Sequence, residues 1–219
     1  ALRQRLAEDC VASSVHIVKT LVSSIDGTQK YLYRLQDGNV IEGVLMKYKY
    51  GNTLCVSSQV GCRMGCKFCA STLGGLVRNL SAGEILGQVL AVNAMGGGDD
   101  KNRYVTNIVL MGSGEPLDNF DNVTKFLRLV SAEEGINISL RNISLSTCGV
   151  VPRMRQLADM GLHVNLTLSL HNADNEQRKQ IMPVTNAYSV EDAVAACRYY
   201  FEQTGRRIIV EYTLIDGQN

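Results

Sequence analysis

From Thr53 to Ile215 one pattern recurs: short segments in which every second residue is apolar and the ones between are small or polar. Val164, Leu166, Leu168 and Leu170 alternate with Asn165, Thr167, Ser169 and His171. Ile143 and Leu145 alternate with Asn142, Ser144 and Ser146, and Leu54 and Val56 with Thr53, Cys55 and Ser57. Val210, Tyr212 and Leu214 alternate with Glu211 and Thr213. Stretches with helical spacing separate these segments, which predicts parallel strands joined by right-handed crossovers. In a doubly wound sheet both strand faces are buried and strands read as near-continuous apolar runs. Here only one face is apolar and fits under helices. A row of small polar residues on every strand predicts a curved sheet around a wet cavity. The expected fold is therefore α/β, an incomplete (β/α) barrel with its site inside. The same alternation puts Cys55, Ser146, Ser169 and His171 on the cavity face.

Local signals place the other elements. Ser81-Ala82-Gly83-Glu84 is a capping box. It predicts a helix with Ile85, Leu86, Val89, Leu90 and Val92 on its buried side. A strand is expected over Asn107–Met111, and a helix over Asn119–Val130 carrying Val123, Phe126, Leu127 and Val130 inward. Pro152 suits a helix's first turn and Gly161 its end. Another helix runs from Ser189 to about Thr204 with Gly205 as its stop, and the last strand spans Arg207–Ile215. Upstream, Leu2 and Leu6 suit the end of a helix and Val15–Val18 a strand. Asp37-Gly38 between two apolar-rich runs is a strong hairpin cue, pairing Tyr31–Leu35 with Val40–Leu45. Two parts result: residues 1–50, a linker helix and β-hairpin extension, and residues 51–219, the barrel core.

The chemistry is carried by cysteines. Cys62, Cys66 and Cys69 follow a C-x3-C-x2-C spacing, and the next cysteine is Cys148. A structural zinc site takes four ligands, usually as two separated pairs, and the second pair is missing. Disulfide frameworks belong to small secreted chains; seven cysteines cannot all pair, and no signal-peptide pattern opens the chain. Reduced thiols point to the cytoplasm. A ferredoxin-type run supplies a thiolate for every iron of a [4Fe–4S] cluster, whereas three on one loop leave an iron open to a substrate. The net charge of +1 gives no global basic footprint for nucleic acid. Arg63, Lys67 and Arg78 beside the loop, and Lys47 and Lys49 upstream, read first as a solvated face. No apolar run approaches a membrane span.

A second motif follows the next strand: Gly112-Ser113-Gly114-Glu115-Pro116. Glycines at the carboxyl end of a parallel strand allow close approach to the backbone. Together the two motifs resemble the radical S-adenosylmethionine (SAM) superfamily. The resemblance narrows at Leu54–Cys62, Met111–Asn119, Leu145–Pro152 and Leu168–Asn172, which are similar to stretches of the bacterial adenosine C2 methyltransferases acting on 23S rRNA and tRNA.

That resemblance implies a [4Fe–4S] cluster on Cys62, Cys66 and Cys69, and SAM contacts from Gly114, Glu115, Ser146, Ser169, Leu170 and His171. It implies Glu42 as proton acceptor and Cys55 as the cysteine that resolves a covalent protein–RNA intermediate through a transient disulfide. By pattern alone Glu42 reads as a hairpin surface charge and Cys55 as a small core residue. Cys10, Cys148 and Cys197 read as structural. In the family one SAM methylates a further cysteine near the carboxyl end and a second yields the radical. That cysteine lies beyond Asn219, so the chain reads as a fragment that binds a cluster without turning over. The implied partners are 23S rRNA, tRNA and an electron donor such as flavodoxin, with no membrane, for a monomer. The alternatives are the related adenosine C8 methyltransferase, from which Pro116 and Val60 lean away, and a radical SAM protein with a non-RNA substrate.

Overall fold

The computed structural model describes residues 2–9, 15–99, 102–217 and 219. One sheet of eight strands organises it. The strands are β1 (Val15–Val22), β2 (Gln29–Leu35), β3 (Val40–Tyr48), β4 (Gly51–Cys55), β7 (Asn107–Leu110), β8 (Ile143–Thr147), β9 (Asn165–Ser169) and β10 (Ile208–Glu211), side by side in that order. From β1 to β4 the pairing is antiparallel; from β4 to β10 it is parallel. The sheet is open, with β1 and β10 at its edges, so the expected incomplete barrel is present as a mostly parallel sheet that does not close. A separate two-stranded pair, β5 (Gln59–Gly61) and β6 (Leu76–Asn79), brackets the cysteine loop and went unanticipated.

Five helices accompany the sheet after β6, and a sixth, α1 (Leu2–Asp9), precedes it among the described residues. They are α2 (Ala82–Met95), α3 (Phe120–Ser131), α4 (Val151–Asp159), α5 (Asn175–Ile181) and α6 (Val190–Thr204). The capping box on Ser81 and Glu84 forms as expected, and Ser189 with Asp192 makes a second one that opens α6. Gly205 ends α6 with φ +64°, the left-handed conformation that glycine adopts without Cβ strain. Val123, Phe126, Leu127 and Val130 are all withdrawn from solvent.

Two expectations are corrected. On α2, Ile85, Val89 and Val92 are buried but Leu90 is 45% exposed. The buried stripe turns instead through Glu84 and Gln88, which hydrogen-bond around the cysteine loop. The last strand ends at Glu211 rather than Ile215, and Val210, Tyr212 and Leu214 are exposed. Among the described residues β10 is the sheet's edge, paired with β9 alone.

Candidate active site

The upper ends of the parallel strands surround a cavity of about 280 Å³. Its wall includes Cys62, Cys66 and Cys69 on one side, Gly114 and Glu115 on another, and Ser146, Ser169, His171 and Glu211 opposite. The fold thus brings together eight of the eleven residues singled out in the sequence. Leu170, Cys55 and Glu42 lie outside the wall.

The cysteine loop is held by its own backbone. Cys62 N–H donates to Gly75 O at 3.0 Å and Cys69 N–H to Cys66 O at 3.1 Å, and Thr72 Oγ1 donates to Cys69 O at 2.9 Å. Gly61 is required where the loop leaves β5: φ is +75°, and a Cβ there would stand 1.9 Å from Gly75 O. Three ties connect the loop to the rest of the site. Arg63 forms an ion pair with Asp118. Lys67 N–H donates to Ile181 O at 2.9 Å. The Phe68 ring meets the His171 ring edge-on at 4.8 Å.

Burial pushes Cys66 up to about 12, with the neighbouring Cys62 and Cys69 adding to the shift, and burial raises Cys62. Tetrahedral zinc draws its sulfurs to about 2.3 Å from one point. Among the described residues no three His, Cys, Asp or Glu side chains are set around a single ion in that way. The thiols instead stand around a shared cavity. That donor set, three thiols of one loop at a shared cavity, fits a [4Fe–4S] cluster with an open iron.

Glu115 is fully withdrawn from water. Burial raises its pKa, and four donors pull against that: the N–H groups of Cys148 and Leu117, both at 2.9 Å, and the side chains of Thr147 and Cys148. Gln59 Oε1 accepts from Glu115 N–H at 2.8 Å, and its amide nitrogen donates to Asn79 and Asp118. Gly114 allows this packing. Its φ is +106°, and a Cβ would lie 2.6 Å from the Gln59 Cβ. The close approach that the glycine permits is therefore in the first place that of a neighbouring protein strand.

The opposite wall is polar. Ser146 Oγ and Ser169 Oγ lie 3.1 Å apart, and Ser146 Oγ donates to Glu211 Oε2 at 3.2 Å. His171 has a left-handed backbone, φ +56°. Its N–H and that of Leu170 donate to Glu211 O, and its Nδ1 accepts from Thr213 N–H at 3.0 Å. Burial lowers the His171 pKa, in keeping with Nδ1 acting as an acceptor. Leu170 contributes backbone rather than side chain: its carbonyl accepts from Arg178 Nε at 2.8 Å.

Sequence reasoning missed Glu211 as a site residue. The alternation in its strand placed it on the polar face, and that was the available signal. Cys148, read as structural, lines the cavity, while Cys197 is buried in α6 away from it; Cys10 lies outside the described residues. Cys55 sits at the end of β4 just behind the cavity, and its sulfur accepts from the N–H of Met111, a wall residue. Burial pushes its thiol up to about 11. Glu42 is half-exposed and paired with Lys30 at 2.8 Å; only its carbonyl reaches inward, accepting from Ser57 Oγ at 2.7 Å. Of the basic residues near the loop, Arg63 and Arg78 are held in ion pairs with Asp118, Asp37 and Glu84, whereas Lys47, Lys49 and Lys67 are exposed.

Comparison with known proteins follows the same outline. Proteins described as probable dual-specificity RNA methyltransferase RlmN from Lachnoclostridium phytofermentans and Clostridium perfringens are 54% and 55% identical to the chain over its whole length. The chain spans 60% and 62% of those relatives. The crystal structure of a radical SAM methyltransferase from Sphaerobacter thermophilus superposes with a TM-score of 0.94 at 42% identity, covering all of this chain and 63% of that one. Residues 56–219 match the model of the radical SAM superfamily. The chain therefore belongs to the radical SAM superfamily, whose cofactors are a [4Fe–4S] cluster and SAM.

Proposed function

We propose that the protein methylates C2 of adenosine in 23S rRNA and tRNA through a methyl-cysteine intermediate. The observation that carries the reading is the single cavity joining the three-thiol loop to Glu115, Ser146, Ser169 and His171, with Cys55 immediately behind it. In this reading Cys62, Cys66 and Cys69 hold the cluster, and SAM fills the space between the loop and the polar wall. Bound there, cluster and SAM supply a carbon radical, which the C2 carbon of adenine requires because it is not nucleophilic.

The chain's own residues bind, orient and hold protons. Gly114 and Glu115 would hold the amino group of SAM. Ser146, Ser169, His171 and the Leu170 backbone position the rest of SAM. The soft and aromatic side chains of Met64, Phe68 and Met182 exclude water from the cavity rim. Cys55 stays a protonated thiol until its proton is removed; its thiolate would then attack the sulfur of the cysteine that carries the adenine-bound methylene, forming an S–S bond on the protein as the S–CH2 bond breaks, with the electron pair passing to that carbon, which takes up a proton and becomes the methyl group of the product. Glu42 takes the proton lost from the adenine ring. A flavodoxin-like donor, a cytoplasmic location and a monomeric state complete the reading.

The test is anaerobic reconstitution of the full-length protein with iron, sulfide, SAM and a reductant on 23S rRNA fragments and tRNA. Nucleoside mass spectrometry reads the product. 2-Methyladenosine is expected; 8-methyladenosine or an unmodified RNA overturns the assignment.

A further inference from the structure

Arg178 is the largest fully buried side chain of the described residues, 1% exposed. It lies on α5, whose carboxyl end is pressed against the cysteine loop: Ile181 and Met182 pack with Cys66 and Cys148, and a Cβ on Gly65 would sit 3.3 Å from Pro183. Four of the five guanidinium N–H groups find acceptors. Nε donates to Leu170 O at 2.8 Å, and Nη1 to Thr185 Oγ1 at 2.7 Å. Nη2 donates to Cys148 O at 2.8 Å and to Ser169 O at 3.0 Å. Every acceptor is neutral. Among the described residues Arg178 takes part in no ion pair.

A buried charge without a counter-charge is costly, and arginine does not escape the cost by losing its proton. The carboxyl end of α5 packs on the cysteine loop at Cys66. The buried Glu115 carboxylate lies on the other side of the Cys148 peptide: it accepts from Cys148 N–H while Arg178 binds the Cys148 carbonyl, and the two side chains form no ion pair among the described residues. Negative charge gathered on the cysteine loop by a cluster is therefore the further charge that Arg178 is placed to face. Three thiolates around a [4Fe–4S] core carry net negative charge in both oxidation states, and one-electron reduction adds another.

We propose that Arg178 is the counter-charge of the cluster, a positioning residue whose buried cation favours the reduced state while its hydrogen bonds fix the ends of β8 and β9. The proposal rests on the cofactor reading given above. It assigns α5, an element without a sequence motif of its own, a direct influence on electron uptake.

Dithionite titration of the reconstituted protein, followed by EPR, tests it. Arg178→Gln is expected to lower the equilibrium constant for reduction at least tenfold, which is about 59 mV for one electron. Arg178→Lys keeps the cation and is expected to stay within threefold of wild type. A Gln variant within threefold of wild type overturns the proposal, as does a Lys variant displaced as far as the Gln variant. Thr185→Asp serves if the Gln variant fails to assemble, because it places a carboxylate on Nη1. It should lower the constant tenfold where Thr185→Asn does not, and equal constants for Asp and Asn overturn the proposal. Iron analysis separates the two levels of inference: a wild-type protein without a four-iron cluster takes down the cofactor reading itself.

Discussion

The two halves of the sheet put the same alternation to opposite uses. In β2 and β3 the apolar face, with Tyr31, Tyr33, Leu35, Ile41 and Leu45, is buried, and the other face presents Arg34 and Glu42 to water. In the parallel strands inside the edge strand β10 both faces are largely covered. Leu54, Ile108, Leu145 and Leu166 lie under the helices, yet Thr53, Ser146 and Thr167 on the other face are buried too. A polar face turned inward has to be satisfied by neighbours or by a ligand. The upper end of that face carries Ser146, Ser169 and Glu211, hydrogen-bonded among themselves and open to the cavity. Alternation in a sequence therefore reports a two-faced sheet, and the loops at the strand ends decide whether the polar face meets water or substrate.

The sharpest way to break the comparison is to remove the ligand from one half. Cys66→Ala is expected to reduce bound iron and sulfide to background, while circular dichroism stays that of the wild type. Full iron content in the variant would mean that the cavity is not the cluster site. The next effect is chemical. With its thiol raised to about 11, Cys55 carries roughly a hundredfold less thiolate at pH 8 than an exposed cysteine near 9. The sign follows from the protonated form being the one favoured by burial. The rate of Cys55 alkylation by iodoacetamide should rise about tenfold per pH unit until about pH 11, and a plateau near pH 9 would show a solvated thiol. Packing comes third. Leu145→Ala in the parallel half should cost about 2–5 kcal/mol by denaturant unfolding, because the site is closed on all sides. Ser81→Ala removes a cap whose oxygen accepts from Glu84 N–H at 3.2 Å, and should cost about 1 kcal/mol.

Much of this was legible in the sequence, for identifiable reasons. Strand alternation by itself places Ser146, Ser169 and His171 on one face, since side-chain direction has a strict period of two. Capping boxes and Gly205 act within a few residues, so they fixed helix ends locally. What escaped depends on contacts between distant segments. β5 and β6 pair around the cysteine loop with too few residues to show a pattern. Six of the seven residues of α5 are polar in sequence, and only packing buries Arg178. Leu90 fits the helical period but points away from the stripe that finds a partner. Glu211 was on the right face, but its role needs Ser146 and Ser169 opposite, on strands 65 and 42 residues away in sequence.

Glu42 marks the boundary between the two halves and offers the smallest, most discriminating change. Its side chain belongs to the solvent-facing side of β3, half-exposed and paired with Lys30 across β2. Exposed pairs of this kind contribute about 0–1 kcal/mol. Its carbonyl belongs to the other half, accepting from Ser57, whose oxygen in turn accepts from Ser113 N–H at 2.9 Å beside the cavity glycines. Glu42→Gln keeps that backbone link and deletes only the charge. Unfolding free energy should change by no more than about 0.5 kcal/mol, and iron content not at all. Formation of 2-methyladenosine should nevertheless stop if the carboxylate takes the adenine proton. Unchanged turnover would return Glu42 to the surface of the hairpin and move the proton acceptor to the cavity side of the sheet, where Glu211 is a lining carboxylate without an assigned role.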